Sequence, residues 1–207
     1  LARLRAQLES SLIAAVERGQ PIEPVDLEAA LEQIDQITST FEALLRLARI
    51  ESGAGRGAFK PVPLQDLIAE VSETYGPVVE ETDDIFKVVV SKPQTILGDH
   101  DMLVQLLANL IQNALRHGAR SQTITLQAHG TRVIVTDEGA GIPLQERENV
   151  LQPLYQGEGT RQDEGFGLGL SLVRAIAELH DADLTLSDGP GGRGLCVTVK
   201  FPRLTKL

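Results

Sequence analysis

Residues 1–53 carry two stretches in which apolar side chains recur every three or four positions, the spacing of a helix with one apolar face. The stretches cover residues 1–18 and 27–48, and glycines and prolines separate them. Two helices joined by a short loop make a hairpin that cannot bury both faces alone. We therefore predict half of an intermolecular four-helix bundle. The alternative is a hairpin packed on its own globular domain. A glycine cluster then marks a boundary, and the second domain covers residues 58–207.

The rest of the chain mixes helical and strand-like patterns. Helices are predicted at residues 64–82, 99–117, 143–150 and 168–180. Strands rich in Val, Ile, Thr and Leu are predicted at 59–62, 85–90, 94–97, 121–128, 131–136, 183–187 and 194–201. These elements do not follow the strict alternation of a doubly wound sheet. The predicted fold class is therefore α+β, with the second domain a two-layer α/β sandwich in which helices cover one face of a mixed sheet.

Composition narrows the choice of partners and compartment. The formal net charge of −10 argues against nucleic acid, which would require a basic surface. The only cysteine, Cys196, excludes an internal disulfide and lies in an alternating stretch typical of a buried strand thiol. No apolar run reaches the length of a membrane span, and no signal peptide is visible. Because the chain begins without Met inside a helical pattern, we expect it to be a fragment of a longer protein.

The first chemical motif is NLIQN, with Asn109 and Asn113 four residues apart on one helix face. An amide oxygen is a neutral, hard ligand that suits Mg²⁺, which takes its other contacts from water and phosphates. Taken alone, the two residues fit an ordinary helix surface better than a metal site.

The second motif, DEGAG, follows a predicted strand and contains Asp137, Gly139 and Gly141. A buried carboxylate accepts hydrogen bonds and matches the donor amine of adenine, and such a charge-assisted bond contributes about 1.5–3 kcal/mol. The two glycines would let a base approach the backbone closely. Taken alone, the motif is also compatible with a plain turn.

The third motif, GFGLG, places Gly165, Gly167 and Gly169 before an amphipathic helix. The free N–H groups and positive end of that helix would face bound phosphates, and Ser171 in the first turn could donate to one. The spacing differs from the dinucleotide-binding fingerprint, and the lysine of a P-loop is missing. The polar, glycine-rich run 156–164 has the composition of a mobile lid, in which Arg161 is the only basic residue.

In this order and at these spacings, the three motifs resemble the N, G1 and G2 boxes of the GHKL ATPases, whose fold is the Bergerat type. The preceding hairpin narrows the resemblance to the kinase core of bacterial sensor histidine kinases. The resemblance implies that Asn113 holds Mg²⁺, that Asn109 and Arg161 are catalytic, and that Asp137 selects adenine. The implied contacts of ATP are Asn109, Asn113, Arg116, His117, Asp137, Gly139, Gly141, Ile142, Tyr155, Thr160, Arg161, Gly165, Gly167, Leu168, Gly169, Leu170 and Ser171.

Family resemblance also implies the reaction and the partners. The γ-phosphoryl group of ATP passes to a histidine on a dimeric hairpin and then to an aspartate of a response regulator receiver domain. The expected setting is a homodimer in the cytoplasm, with the full-length protein attached to the bacterial inner membrane only through upstream segments.

Two departures from the family leave alternatives open. The four histidines are His100, His117, His129 and His180, and none lies in the hairpin. We therefore expect that this chain cannot phosphorylate itself there, and that His180 caps a helix end as a protonated ring. Gln156 stands where the family commonly has arginine. The alternatives are a catalytically silent nucleotide-binding signalling module and another GHKL ATPase or serine kinase.

Overall fold

The computed structural model describes residues 59–155 and 167–204, together with the helical residues Leu45, Ala48 and Ile50. The chain divides into two compact units, Leu1–Leu45 and Arg46–Leu207. Apart from the helical residues Leu45, Ala48 and Ile50, the predicted hairpin and the glycine-rich boundary lie outside the described residues. The limits 1–53 and 58–207 therefore stay predictions.

Residues 59–155 and 167–204 contain three α-helices and seven strands. The helices are α1 (Leu64–Glu80), α2 (His100–His117) and α3 (Gly169–Leu179). The strands are β1 (Lys60–Pro63), β2 (Ile85–Pro93), β3 (Thr95–Gly98), β4 (Thr123–Gly130), β5 (Arg132–Thr136), β6 (Asp183–Asp188) and β7 (Leu195–Lys200). Each of these elements was predicted from the sequence to within three residues at either end. No helix in this part of the chain has the length and apolarity that a membrane crossing requires.

Five strands form one mixed sheet in the order β2-β4-β5-β7-β6. Strands β2 and β4 run parallel, and all other neighbours in this sheet are antiparallel. A separate antiparallel pair consists of β1, which directly precedes α1, and β3, which precedes α2. This architecture confirms the predicted α+β class and the two-layer arrangement.

The core lies between the three helices and one face of the sheet. Strand residues alternate between that core and an open face, as the period of two requires. On β4, for example, Ile124 and Leu126 are fully buried, whereas Thr125 between them is half-buried. Cys196 lies in β7 as predicted, but on the open face beside Thr136, where it is half-buried and not enclosed in the core.

The predicted helix at 143–150 is wrong in type. The segment forms two short 3₁₀ turns, Leu144–Glu146 and Asn149–Leu151. Leu144 is 74% exposed, so the segment lacks the continuous apolar stripe that would hold an α-helix against the core. Short 3₁₀ turns are the usual form of such connections.

Candidate functional site

Helix α2 runs along the candidate site, from the start of α3 at one end to Asp137 at the other. Asp99 caps its start, because Oδ1 accepts a hydrogen bond from the Met102 N–H at 3.1 Å. The apolar stripe of α2 is buried against the sheet and the other helices, which fixes the rotation of the helix. Asn109, Asn113 and His117 then follow one another at intervals of four on a face with more solvent exposure. At 1.5 Å per residue, the first and last are separated by about 12 Å along the axis.

At one end, Asn109 lies beside the start of α3. Its Nδ2 donates to the Gln105 carbonyl at 2.8 Å, one turn back in α2. That bond uses the amide nitrogen of Asn109 and not its Oδ1. A Cβ placed on Gly169 would lie 4.0 Å from this Oδ1. The first and third sequence motifs, 60 residues apart in sequence at these two positions, therefore meet in the fold.

The start of α3 offers backbone donors. Leu168 is the N-cap residue and supplies no side-chain cap, and the first turn contains no acidic residue. The N–H groups of the first helical residues, beginning with Gly169, have no partner within the helix by construction. Because the helix dipole is positive here, the position suits a phosphate. The side chains of Leu168 and Leu170 are buried, so only their backbone could contact a ligand.

Ser171 does not have the predicted environment. Its side chain is 3% exposed, and its hydroxyl donates to the Leu168 carbonyl at 3.0 Å. The hydroxyl proton is therefore already used inside the first turn of α3. This geometry favours a helix-stabilising role for Ser171 over the predicted phosphate contact.

At the other end, Asp137 is a buried carboxylate with one oxygen fully used. The side chain is 5% exposed. Oδ1 accepts hydrogen bonds from the N–H groups of Gly139 at 2.9 Å and Leu195 at 3.0 Å. No hydrogen bond from the described residues reaches Oδ2, which leaves a buried acceptor for a ligand.

The protonation of Asp137 is shifted by its surroundings. Burial raises the pKa of the carboxyl, because the charged form loses hydration. The hydrogen bonds from Gly139 and Leu195, and the charge of His117, oppose that shift without cancelling it. Because His117 affects this pKa and its carbonyl packs against Gly139, the end of α2 lies close to the carboxylate.

The glycines after Asp137 approach protein backbone. A Cβ on Gly139 would overlap the His117 carbonyl, and one on Gly141 would lie 2.7 Å from the Gly194 carbonyl oxygen. Gly194 has φ +73°, and its own Cβ would overlap the Asp137 carbonyl. Sequence reasoning assigned Gly139 and Gly141 to close approach by the adenine base. In the structure, both glycines first allow the DEGAG turn to pack against α2 and the β6–β7 connection.

Leu154 and Gly167, which lie on either side of the predicted lid in sequence, are neighbours in the structure. The Leu154 N–H donates to the Gly167 carbonyl at 3.1 Å. A Cβ on Gly167 would overlap the Tyr155 carbonyl, so only glycine fits this junction. The predicted lid residues Gln156, Thr160 and Arg161, and Gly165 of the GFGLG motif, lie outside the described residues.

Two further predicted contacts have environments of their own. Arg116 is exposed in the last turn of α2, three positions after Asn113. Ile142 is half-buried, and its carbonyl accepts from Arg147 Nε at 3.0 Å, which holds the chain after the DEGAG turn. Neither position conflicts with the predicted nucleotide contact.

His180 is a neutral structural residue, which corrects the predicted protonated cap. The ring is 2% exposed and stacks on Phe59 at a centroid distance of 4.5 Å. Its Nε2 accepts from the Asp99 N–H at 3.0 Å, so the proton of the neutral ring is on Nδ1, which lies 2.7 Å from the Ile176 carbonyl. The ring does bond the end of α3, but it does so uncharged.

Sequence reasoning missed two groups that shape the site. The Leu195 N–H, at the start of β7, holds Asp137 from 58 positions away. Gln122 bonds both the end of α2 and the DEGAG turn. The glycine-rich run GPGGRG before Leu195 was a local signal of a tight turn. Nothing local distinguishes Gln122 from any polar residue ahead of a strand.

These groups fit a nucleotide with a divalent cation. Asp137 supplies a buried acceptor at one end, and α3 supplies uncapped backbone donors at the other. Among the described residues no three His, Cys, Asp or Glu side chains group to hold a metal ion. A cation here would therefore depend on the amide oxygens of α2 and on phosphate oxygens, the pattern preferred by Mg²⁺.

Comparison with known proteins adds a family and relatives. The sequence model of the family described as "Histidine kinase-, DNA gyrase B-, and HSP90-like ATPase" matches residues 98–205, slightly more than half of the 207 residues. Sensor protein IrlS of Burkholderia pseudomallei is 29% identical over 182 residues, which are 85% of this chain and 39% of that protein. Sensor protein kinase PmrB of Pseudomonas aeruginosa is 30% identical over 175 residues, 82% of this chain and 36% of that protein. The chain therefore spans less than half the length of these curated relatives.

Solved structures agree on the fold. The ATP binding domain of PrrB from Mycobacterium tuberculosis has a TM-score of 0.57 and 25% identity, and the match covers 72% of this chain and 99% of that chain. Acinetobacter baumannii histidine kinase AdeS has a TM-score of 0.72 and covers 98% of this chain and 95% of that chain. Its identity is 18%, so this second likeness supports the fold alone.

Proposed function

We propose that this chain, which belongs to the family of histidine kinase-, DNA gyrase B- and HSP90-like ATPases, binds ATP with Mg²⁺ and transfers the γ-phosphoryl group to a histidine. The chain is the ATP-binding catalytic core of a sensor histidine kinase. The observation that carries the proposal is the arrangement along α2. A buried acceptor, Asp137, lies at one end, and the uncapped start of α3 lies at the other.

Asp137 would recognise the base. Two backbone N–H groups hold its Oδ1, which fixes the direction of Oδ2. Oδ2 would then accept a hydrogen bond from the exocyclic amine of adenine. A guanine would present a carbonyl oxygen at that position and repel the carboxylate. His117, exposed at the end of α2 and close enough to affect the charge of Asp137, would cover one face of the base.

Asn113, Asn109 and the start of α3 would hold the metal and phosphates. The Asn113 oxygen would bind Mg²⁺, which when bound neutralises phosphate charge. Asn109 is oriented by its bond to Gln105 and presents Oδ1 towards this same region. Backbone N–H groups from Gly169 onward, with Arg116 from α2, would bind phosphate oxygens.

The acceptor histidine would be supplied by a separate helical hairpin. We propose that this hairpin aligns a ring nitrogen of its histidine with the γ-phosphorus, so that a P–N bond forms as the bond to ADP breaks. Positioning and charge neutralisation, including that by Arg161, supply most of the rate. Further proposals from the family are dimerisation through residues 1–53 and relay to an aspartate of a response regulator receiver domain.

A second candidate is a module that binds the nucleotide but transfers nothing. Two sequence observations favour it: Gln156 replaces a basic residue at the edge of the predicted lid, and residues 1–53 contain no histidine. The names of the relatives, a sensor protein and a sensor protein kinase, favour the kinase.

One experiment separates these functions. The chain is incubated with γ-labelled ATP and Mg²⁺, with and without a separately produced hairpin that carries a histidine. The kinase predicts acid-labile label on the added hairpin and none on the chain itself. Label on neither protein, together with calorimetric binding of a nonhydrolysable ATP analogue, would leave only the silent module. Acid-labile label on the chain alone would contradict the proposed need for an external histidine.

A further inference from the structure

Gln122 joins the two ends of the candidate site through a single buried side chain. It lies just before β4 and is 2% exposed. Its Nε2 donates to the Ala114 carbonyl at 2.9 Å, and its Oε1 accepts from the Glu138 N–H at 3.1 Å. Ala114 directly follows Asn113, and Glu138 directly follows Asp137. The amide therefore connects the helix turn that carries the proposed metal ligand to the turn that carries the proposed adenine acceptor.

The backbone of Gln122 is fixed as firmly as its side chain. Its N–H donates to Asp84 Oδ1 at 3.0 Å, and its carbonyl accepts from the Ile85 N–H at 2.8 Å. Asp84 is 8% exposed and also accepts from the Thr82 hydroxyl at 3.0 Å. The backbone of Gln122 is therefore held by two hydrogen bonds. A side chain can fix the distance between two turns only if its own backbone is held in place.

Gly118 provides an independent observation. A Cβ at this position would overlap the side-chain amide of Gln122. The backbone of Gly118, with φ −72° and ψ 172°, is one that any residue adopts. The absence of a side chain at position 118 is therefore explained by the space that the Gln122 amide occupies and not by backbone conformation.

We propose that Gln122 is a positioning residue that fixes the separation of Asn113 from Asp137, so that one ATP molecule engages both. The inference rests on the proposed function. Glutamine suits this role because its side chain carries a donor and an acceptor at the required reach. If the bond from Glu138 is lost, its N–H is left unpaired. If the bond to Ala114 is lost, that carbonyl keeps only the Gly118 N–H at 2.9 Å, and the side chain no longer ties the two turns together.

The test compares a long ligand with a short one. In the Gln122→Glu variant the carboxylate still accepts from Glu138 but repels the Ala114 carbonyl. Near pH 8 we expect the Kd for AMPPNP with Mg²⁺ to rise about tenfold. We expect the Kd for adenosine, which reaches only the Asp137 end, to change by less than about twofold. At each pH the Kd is compared with that of the unmutated chain. The loss of AMPPNP affinity should shrink on acidification, because the protonated carboxyl can again donate a hydrogen bond to the Ala114 carbonyl.

Two further variants serve as checks. Gln65→Glu adds the same charge on the exposed face of α1 and should change neither Kd. Gly118→Ala displaces the amide without adding charge, and it should show the same selective loss for AMPPNP but no recovery at low pH. If Gln122→Glu does not fold near pH 8, the two-ligand comparison on Gly118→Ala decides the question.

The outcomes are distinct. A selective loss for AMPPNP supports the positioning role. Equal losses for both ligands would show that Gln122 merely supports the fold, and an unchanged Kd for AMPPNP would also overturn the inference. In both of those cases the unmutated chain still binds and the proposed function stands. Failure of the unmutated chain to bind AMPPNP would overturn the proposed function and this inference together.

Discussion

Replacing Asp137 by asparagine should weaken ATP binding while raising thermal stability. Asparagine is nearly isosteric, and its oxygen can still accept from Gly139 and Leu195. Its NH₂ group then takes the place of Oδ2 and faces the donor amine of adenine. The charge-assisted bond that is lost contributes about 1.5–3 kcal/mol, so the Kd for a nonhydrolysable ATP analogue should rise by about ten- to 150-fold.

The stability change has the opposite sign because the Asp137 pKa is raised. A raised folded-state pKa means that the folded chain binds more protons than the unfolded chain between the two pKa values, so stability falls as pH rises through that window. Near neutral pH the buried carboxylate therefore lowers stability, and the neutral amide removes that cost. The gain in Tm should be present near pH 7 and should vanish below the ordinary aspartate value of 3.8.

Calorimetric titration with AMPPNP and Mg²⁺ measures the affinity, and differential scanning calorimetry measures Tm for the same samples. Asp66→Asn, the same change on the exposed face of α1, should leave the Kd unaltered. A Kd for Asp137→Asn within about threefold of the unmutated value would refute the assignment of the adenine acceptor, since a lost charge-assisted bond costs more. A lower Tm near pH 7 would refute the argument from burial. Affinity in the unmutated chain should itself weaken on acidification, because protonated Asp137 no longer accepts through a charge.

Three further predictions test other parts of the site. Asn113→Ala should remove most of the Mg²⁺-dependent gain in AMPPNP affinity but leave adenosine binding intact, and the exposed Asn149→Ala serves as its control in the same titrations. Equal dependence on Mg²⁺ in both variants would contradict the metal assignment. Ser171→Ala should lower the free energy of unfolding by about 1 kcal/mol and leave the Kd for AMPPNP nearly unchanged, because the hydroxyl bonds Leu168; a large loss of affinity would instead support the phosphate contact predicted from sequence. His180→Phe should keep the stacking on Phe59 but leave the Asp99 N–H unpaired, so denaturant unfolding should show a loss of about 1–3 kcal/mol. An unchanged stability would mean that the bond from Asp99 contributes nothing.

The sequence predicted the secondary structure well wherever apolar period and length agreed. The apolar stripe of α2 predicts a helix, and the alternation of apolar and polar residues in β4 and β5 predicts strands. Any other secondary structure would expose the apolar side chains of these segments to water. The helix predicted at 143–150 is wrong, because a short segment forms an α-helix only when an apolar face is buried, and Leu144 is 74% exposed. The order of the three motifs also pointed to the correct family, although each motif alone was ambiguous.

The sequence by itself determined which residues are the candidates for the chemistry: Asn109 and Asn113 on one helix face, Asp137 at a strand end, and glycines before α3. Only the tertiary structure decided how they are held. The Leu195 N–H reaches Asp137 from a distant strand, and the Gln122 amide spans two turns that are not neighbours in the chain. Periodicity reports which face of an element is buried, but a hydrogen bond between elements depends on register and packing, which no local stretch of sequence specifies. The neutral state of His180 was hidden for the same reason, since the N–H that its Nε2 accepts belongs to Asp99, which meets the end of α3 only in the fold.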